Sequence, residues 1–163
     1  EHHKPKKSDV LNDTHIAPDR FYLIMKVALT LGISYALRCE KLCKTEPADI
    51  EFRNDVVIVT IAETKTGIPR SFAITDPQWI DKLKKYNNLR KTNNQRFFLT
   101  YVNGKYINTP VAINTIGKIS MKIAEFLKLV EPWTFTCHSF RRSSTTLLAN
   151  HGEGLVGIKQ FGG

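Results

Sequence analysis

The stretch TCHSFRRSSTTLLANHG, residues 136–152, is the part of the sequence from which the interpretation of the whole chain starts. It is predicted to form a helix that ends at Gly152, in which His138, Arg141 and Arg142 lie at positions i, i+3 and i+4 and share one face. Arginine carries a permanent charge and a planar fork of donors that matches phosphate oxygens, whereas histidine titrates near neutral pH. The pattern therefore favours chemistry on a phosphodiester, although a histidine with an arginine three residues later is also common by chance.

The composition is that of one globular domain with a basic surface. The 163 residues are 42% hydrophobic and 24% charged, which suffices to close a single core. The 24 Lys and Arg residues exceed the 15 Asp and Glu residues, so the formal net charge is +9. This charge favours a polyanionic partner such as nucleic acid, but mildly basic proteins that bind nothing acidic are common.

The cysteines and the acidic residues predict no metal site and no cofactor. Cys39, Cys43 and Cys137 are odd in number and lack the paired spacing of a zinc site. We therefore expect reduced thiols in an intracellular protein, with Cys39 and Cys43 as small buried residues. The Asp and Glu residues form no set that would hold two Mg²⁺ ions, which disfavours a two-metal nuclease or an acidic-triad transposase.

No part of the sequence predicts a membrane segment. The longest strongly apolar run, residues 21–31, is interrupted by Lys26 and is too short to span a bilayer. No signal-peptide pattern precedes it, so a soluble protein is expected.

Helical periodicity dominates the chain, so the predicted fold class is α+β and mainly helical. Residues 1–15 are polar and predict a linker or the tail of a preceding domain, and residues 16–163 form the domain itself. Further helices are predicted over residues 18–31, 34–44, 77–86, 113–130 and 155–161. The helix over 113–130 is expected to bury an apolar face formed by Ile113, Ile116, Ile119, Ile123, Phe126, Leu127 and Val130.

Three short strands predict a small antiparallel sheet. The segments IEFRND and VVIVTIAET form a hairpin that turns at Asn54 and Asp55, and RSFAIT, residues 70–75, adds the third strand. Lys65 then lies at the tip of the second connection, where Gly67 can fix its approach to a ligand. A lysine at the tip of a hairpin is usually only solvated, so the position alone does not assign a function.

The helix predicted over residues 77–86 and the polar segment that follows it form one basic region. It holds many cations with little acidic offset, which predicts a surface that contacts a nucleic-acid backbone. An ordinary solvent-exposed face is an equally good interpretation. The members of this predicted backbone-binding stripe are Lys82, Lys84, Lys85, Arg90, Lys91 and Arg96.

Three short motifs follow one another along the chain. They are ALRCEKL at 36–42, the turn lysine in ETKTGIPR at 63–70, and HSFRR at 138–142, which is followed by a helix and a closing Gly-Gly pair. In this order and at these separations they resemble the tyrosine recombinases, the phage-integrase family. The resemblance covers roughly residues 17–163, and the sequence of the last motif is most similar to that of the eukaryotic Crypton-type recombinases.

The resemblance implies a catalytic set around one scissile DNA phosphate and the fold of the recombinase catalytic domain. By resemblance, Arg38 and Arg141 would bind the non-bridging oxygens, Lys65 would protonate the leaving 5′ oxygen, and His138 would assist proton transfer. Two fixed arginines stabilise the charge of a phosphoryl-transfer transition state without a divalent ion. Arg142 and the backbone-binding stripe would contact the DNA.

The resemblance also implies a biological role. It indicates site-specific recombination or DNA integration by an enzyme of a mobile element, acting on double-stranded DNA as a homo-oligomer, a tetramer in this family. The location would be nuclear for a eukaryotic element and cytoplasmic for a prokaryotic one.

Two departures from the family pattern affect these expectations. Lys41 stands where the family commonly has a glutamate, three residues after the first arginine. The family's nucleophilic tyrosine follows the Gly-Gly pair, so we expect the domain to be truncated at its C-terminal end and this chain to lack the nucleophile. The tyrosines that the sequence does contain are expected to be packing or surface residues: Tyr22, Tyr35, Tyr86, Tyr101 and Tyr106.

Other interpretations stay open. The chain fits a host-adopted or degenerate domain that binds DNA or a protein partner without catalysis. It also fits a basic nucleic-acid module unrelated to recombinases, in which Arg38, Lys65 and Arg141 are ordinary surface cations. Type IB topoisomerases share the same constellation, but the compact length and the HSFRRSS wording favour a recombinase.

Overall fold

The computed structural model describes residues 7–62, 67–139 and 142–143, with side chains from Arg20 onward. The fold is α+β, as predicted. Its α-helices are α1 (Lys7–Ser34), α2 (Cys39–Lys44), α3 (Pro77–Leu89), α4 (Ile113–Gly117) and α5 (Ile119–Phe126). Its strands are β1 (Ile50–Phe52), β2 (Val57–Ile61), β3 (Arg70–Ile74), β4 (Leu99–Val102) and β5 (Lys105–Pro110), and short 3₁₀ turns cover Pro47–Asp49 and Pro132–Thr134.

The predicted three-stranded antiparallel sheet is confirmed. Its order is β1-β2-β3, and the central residue Val59 pairs with Ile50 on one side and Phe72 on the other. Val57 and Val59 are buried whereas the residues between and after them are more exposed, which is the period-2 alternation of a sheet with one buried face. The sheet therefore lies against the core through one face.

The core forms where α1 packs against α2, α3 and α5, and it includes the buried residues of the sheet. Leu31 in α1 is fully buried, and so is Leu83 in α3. Helix α3 begins where the sequence predicts, because the Asp76 side chain accepts a 2.8 Å hydrogen bond from the backbone N–H of Gln78 and Pro77 occupies the first helical position. Its end is Leu89, three residues later than predicted.

A second, two-stranded sheet was not predicted. Strands β4 and β5 pair antiparallel around Asn103 and Gly104, which both have positive φ angles of 48° and 83°. An Asn-Gly pair with positive φ at both positions is the preferred two-residue hairpin connection. An Asn-Gly pair is a turn signal, but the short apolar run before it does not distinguish a strand from a buried helical segment.

Three predicted helix boundaries were wrong. Helix α1 begins at Lys7 rather than at residue 18, so it covers part of the segment interpreted as a linker. Helix α2 begins at Cys39 rather than at residue 34, because Ala36 has a φ of 50° and takes the chain out of a helical path. The helix predicted over 113–130 is two helices, with Lys118 at the junction.

The apolar face predicted for residues 113–130 is only partly core. Ile116 and Ile119 are buried, but α5 ends at Phe126 and the chain then turns through positive φ angles at Lys128 and Glu131. The exposed fraction of Phe126 is 66%, so the prediction that it belongs to the core was wrong. Ile113, Leu127 and Val130 are exposed as well.

Two further findings concern the predicted elements. Residues 137–139 and 142–143 are helical, in agreement with the helix predicted over residues 136–152, whereas the helix predicted over 155–161 lies outside the described residues. None of the helices in the described part of the chain is long and apolar enough to cross a membrane.

Candidate functional site

Arg38 lies on the surface at the start of α2. Its backbone is extended, with φ −76° and ψ 154°, and its carbonyl oxygen accepts a 3.1 Å hydrogen bond from the N–H of Leu42. Leu37 and Leu42 are both buried, so the chain on either side of Arg38 is anchored in the core. The guanidinium is therefore presented at a defined point of the surface and is available to a ligand.

His138 lies in a short helical segment that is stabilised by hydrogen bonds between the residues around it. The N–H of Thr136 donates to the Ser139 hydroxyl oxygen at 3.1 Å, and the N–H of Ser139 donates to the Thr136 carbonyl oxygen at 2.8 Å. His138 and Arg142 are both exposed. A serine that bonds back to the third residue before it supports the first turn of a helix.

A disulfide brings these two surface segments together. Cys39, directly after Arg38, is bonded to Cys137, directly before His138; their Cα atoms are 6.0 Å apart and their separation in sequence is 98 residues. Arg38 and His138 therefore belong to one region of the surface. The expectation of three reduced thiols was wrong, because folding places two distant cysteines at bonding distance.

Cys43 is the free cysteine of the described residues. It is half-buried, and burial raises the pKa of its thiol, an effect that the positive charge of Arg96 opposes. A thiol with a raised pKa is mostly protonated at neutral pH and reacts slowly. Cys43 thus behaves as the packing residue that the sequence predicts.

Lys65 and Arg141, the other two predicted catalytic residues, lie outside the described residues. In sequence, Lys65 lies between β2 and β3, and the last residue of β2, Ile61, pairs with the first residue of β3, Arg70. Gly67, at its end, has a φ of 72°. The catalytic roles assigned to Arg38, Lys65, His138 and Arg141 accordingly stay predictions.

A cleft lies between α2 and β2. Its volume is about 420 Å³, and Leu37 and Ala62, which line it, are the neighbours of Arg38 and of the segment containing Lys65. Lys41, Lys44 and Arg96 contribute positive charge, while Glu46 and Asp49 offset part of it. The remaining lining residues are Thr45, Val59, Thr60 and Ile61. This cleft could not be predicted from the sequence, because its cations come from α2 and from the loop after α3.

Arg96 has a structural role at the rim of this cleft. Its Nη1 atom donates to the carbonyl oxygen of Lys44 at 2.8 Å and to Glu46 Oε1 at 3.2 Å. The ion pair is partly exposed, since 38% of the Arg96 side chain is accessible. These bonds join the loop after α3 to the end of α2.

Arg90 is not a surface cation. Only 7% of it is exposed, its Nη2 atom donates to the carbonyl oxygens of Asn94 and Arg96, and its guanidinium lies 5.2 Å from the centre of the Phe97 ring. Its charge is used to hold the loop that follows α3. The assignment of Arg90 to the backbone-binding stripe was therefore wrong.

The other members of the stripe are accessible to different degrees. Lys84, Lys85 and Lys91 are exposed, and Lys82 is half-buried with its Nζ atom 4.7 Å from the centre of the Trp79 ring. Lys85 forms a 3.0 Å ion pair with an aspartate one turn earlier on α3, and Lys84 Nζ lies 3.4 Å from the carbonyl oxygen of the turn residue between β1 and β2. Contact of these lysines with DNA stays a prediction.

The tyrosines of the chain are packing residues, as expected. Tyr35, Tyr86 and Tyr106 are buried, and burial raises the pKa of each phenol above its ordinary range. Tyr106 donates a hydrogen bond to the carbonyl oxygen of Arg20, across the interface of β5 and α1. The remaining two are half-buried in ring contacts, Tyr22 with Phe126 and Tyr101 with Tyr106.

No cluster of three or more His, Cys, Asp or Glu residues suited to a metal ion occurs among the residues that the structure describes.

Comparison with known proteins gives matches in structure. No family model matches the sequence, and no curated protein matches it. The XerH site-specific recombinase bound to its difH substrate superposes with a TM-score of 0.68 over 96% of this chain and 45% of that chain, at 13% identity. The fold is that of the tyrosine recombinase catalytic domain.

Other recombinases share this fold with the chain. XerA recombinase has a TM-score of 0.69 over 98% of this chain and 53% of its own, at 15% identity. The Tn1549 transposon integrase in complex with transposon right end DNA has a TM-score of 0.57 over 99% of this chain and 58% of its own, at 20% identity. The chain thus spans about half the length of the tyrosine recombinases that it matches.

Proposed function

We propose that this chain is the catalytic domain of a site-specific DNA recombinase of the tyrosine type, which breaks and rejoins strands of double-stranded DNA without a metal ion. The observation that carries the proposal is the placement of Cys39 against Cys137, because it puts Arg38 and His138 in one surface region. The shared fold supports it, since the solved XerH and Tn1549 integrase structures are complexes with DNA.

The proposed chemistry follows from the charges of the four residues. Arg38 and Arg141 bind the non-bridging oxygens of the scissile phosphate, where negative charge increases in the transition state. Removal of one such donor costs about 3 to 4 kcal/mol of transition-state stabilisation. Lys65 gives a proton to the leaving 5′ oxygen, and His138 assists that transfer.

We propose that none of the five tyrosines in this chain is the nucleophile of the reaction. The phenols of Tyr35, Tyr86 and Tyr106 are buried, and a buried phenol can neither reach a phosphate nor ionise readily. We therefore propose that these 163 residues bind DNA without forming a covalent phosphotyrosyl bond.

The wider role is also a proposal. The resemblance of the HSFRRSS motif to Crypton-type recombinases supports a mobile element of a eukaryote, a nuclear location and a tetramer on DNA. The alternative is a host-adopted or degenerate domain that binds DNA or a protein partner without catalysis.

Binding to a fluorescent DNA duplex tests the proposal. We expect salt-sensitive binding by the 163-residue chain, and Arg38→Ala and His138→Ala should weaken it. Arg53→Ala is the matched control, because Arg53 is also exposed but forms a 2.9 Å ion pair with Glu51 of β1. The absence of salt-sensitive binding would contradict the proposal.

Two further outcomes separate the alternatives. If Arg38→Ala and His138→Ala bind DNA as the wild type does, the degenerate DNA-binding domain is favoured. A covalent adduct with a nicked suicide substrate through any of the five tyrosines would refute the proposal that none of them is the nucleophile.

A further inference from the structure

We propose that the Cys39–Cys137 disulfide is a redox-controlled tether that holds the segment carrying His138 against α2, beside Arg38. The inference rests on the proposed function only where it places Arg38 and His138 in one site that acts on DNA. The tether itself is a statement about the conformation of residues 136–139, and it can be tested without DNA.

The geometry supports a tether at this point of the fold. The Cα atoms of the two cysteines are 6.0 Å apart, within the range of about 4.4 to 6.8 Å usual for a disulfide. A methyl group at Gly117 would lie 3.9 Å from the Cys39 sulfur, so this sulfur packs against α4. Both cysteines border the core, and Cys39 is fixed there by the buried residue Leu42 one turn later.

The segment of Cys137 packs against the core, and the hydrogen bonds described for it are local. Thr134 N–H bonds to Glu131, Phe135 N–H to Pro132 and Ser139 N–H to Thr136. The side-chain bonds of this stretch are equally local. Between described residues, therefore, no hydrogen bond joins residues 131–139 to α2 or to the three-stranded sheet.

A reversible bond at this place would control the site. Both sulfurs belong to half-buried residues, which a small thiol reagent can reach. In the oxidising direction the two thiols lose two protons and two electrons to glutathione disulfide, which becomes two glutathione thiols. In the reducing direction a dithiol such as dithiothreitol donates the same electrons and protons and forms its own cyclic disulfide.

The consequence concerns the distance between the two site segments. In the oxidised protein the backbones next to Arg38 and His138 are held together by a covalent bond. In the reduced protein the segment of residues 136–139 keeps its local turn but loses its link to α2. The position of His138 is then no longer fixed to that of Arg38 by a covalent bond, so binding of a phosphate by the two residues together becomes less favourable.

Hydrogen exchange of the oxidised and reduced chain tests the tether directly. Peptide mapping of the protein equilibrated with glutathione disulfide should recover a peptide in which Cys39 is linked to Cys137. Amides of residues 136–139 should exchange about fivefold faster after reduction with dithiothreitol. Cys43→Ser is the matched control, because this half-buried thiol lies one turn along α2 and takes no part in the bond, and its exchange should respond to reduction as the wild type does.

Two variants and one comparison make the test decisive. In either buffer, the amides of Cys39→Ser and Cys137→Ser should exchange as those of the reduced wild type do. The comparison of oxidised and reduced wild type uses no substitution, so it holds even if a variant fails to fold. Failure to recover the Cys39–Cys137 peptide overturns the proposal. Equal exchange of residues 136–139 in the two redox states overturns it as well.

DNA binding separates this inference from the proposed function. We expect the reduced protein to bind a duplex about tenfold more weakly than the oxidised protein, and Cys43→Ser to show the same ratio. If exchange responds to the redox state but neither form binds DNA, the tether stands and the proposed function fails. If both forms bind equally, the tether does not control the site and its regulatory role is refuted.

Discussion

Tyr86 and Leu99 are joined by a buried hydrogen bond, in which the backbone N–H of Leu99 donates to the Tyr86 hydroxyl oxygen at 2.9 Å. The same hydroxyl donates to the carbonyl oxygen of Phe97 at 3.1 Å. One side chain of α3 thereby satisfies two backbone groups at the start of β4. It connects the helix that carries the predicted backbone-binding lysines to the second hairpin.

Tyr86→Phe should destabilise the protein although it removes a single oxygen atom. The variant leaves a buried N–H and a buried C=O without partners, and we expect the free energy of unfolding to fall by about 2 to 3 kcal/mol in urea denaturation. Tyr22→Phe, at a half-buried tyrosine of α1, is the control and should change it by less than about 0.5 kcal/mol. Equal losses in the two variants would contradict this account.

Ile119→Ala and Phe126→Ala should differ although both residues belong to α5. Ile119 is 3% exposed and its truncation leaves a cavity, so we expect a loss of about 2 to 5 kcal/mol. Phe126 is 66% exposed, and its truncation should cost less than about 1 kcal/mol. Thermal or chemical denaturation of the two variants checks the difference, and a larger loss for Phe126→Ala would place that ring in a covered interface.

Arg90→Ala and Lys91→Ala should separate structure from DNA binding at adjacent positions. Arg90 is buried and holds the loop after α3 through two carbonyl oxygens, so its removal should lower stability by about 2 kcal/mol or more. Lys91 is exposed, so its removal should leave stability unchanged and, if it contacts a phosphate, should reduce the salt slope of DNA binding by about 1. Denaturation and a salt titration of DNA affinity measure the two effects. An unchanged salt slope for Lys91→Ala would remove this lysine from the stripe.

Reduction of the Cys39–Cys137 disulfide should lower global stability. The bond closes a loop with a sequence separation of 98 residues, and in the chain-entropy treatment its loss costs about 5 kcal/mol through the unfolded state. Urea denaturation with and without dithiothreitol measures the difference. The difference in stability between the two buffers should persist in Cys43→Ser and disappear in Cys137→Ser. Equal denaturation midpoints of the wild type in the two buffers would argue against the bond.

Elements whose cause is local could be predicted from the sequence. The hairpin at Asn54 and Asp55 and the start of α3 at Asp76 and Pro77 follow from turn and cap chemistry within a few residues. The helical region after residue 113 was also predicted, because its apolar spacing is regular. Its interruption at Lys118 was not, since nothing in the periodicity marks that residue.

The candidate site shows the same division. His138 was selected because histidine beside two arginines suits a phosphodiester, and Arg38 was selected through the resemblance of its motif to the tyrosine recombinases. Both are exposed in the structure. The burial of Arg90 could not be inferred, because lysines and arginines in a polar segment look alike until the loop around them is folded. One feature of the sequence indicated that Cys39 and Cys137 lie close together. Each is the immediate neighbour of a residue predicted to belong to the same site, Arg38 or His138.

The sequence by itself determined the fold class, the three-stranded sheet and the residue types able to act on a phosphodiester, because periodicity, turn residues and charge are properties of short segments. Only the tertiary structure decided which distant residues meet. The bond between Cys39 and Cys137, the burial of Arg90 and the exposure of Phe126 all depend on contacts between segments far apart in the chain, and no local preference encodes such contacts.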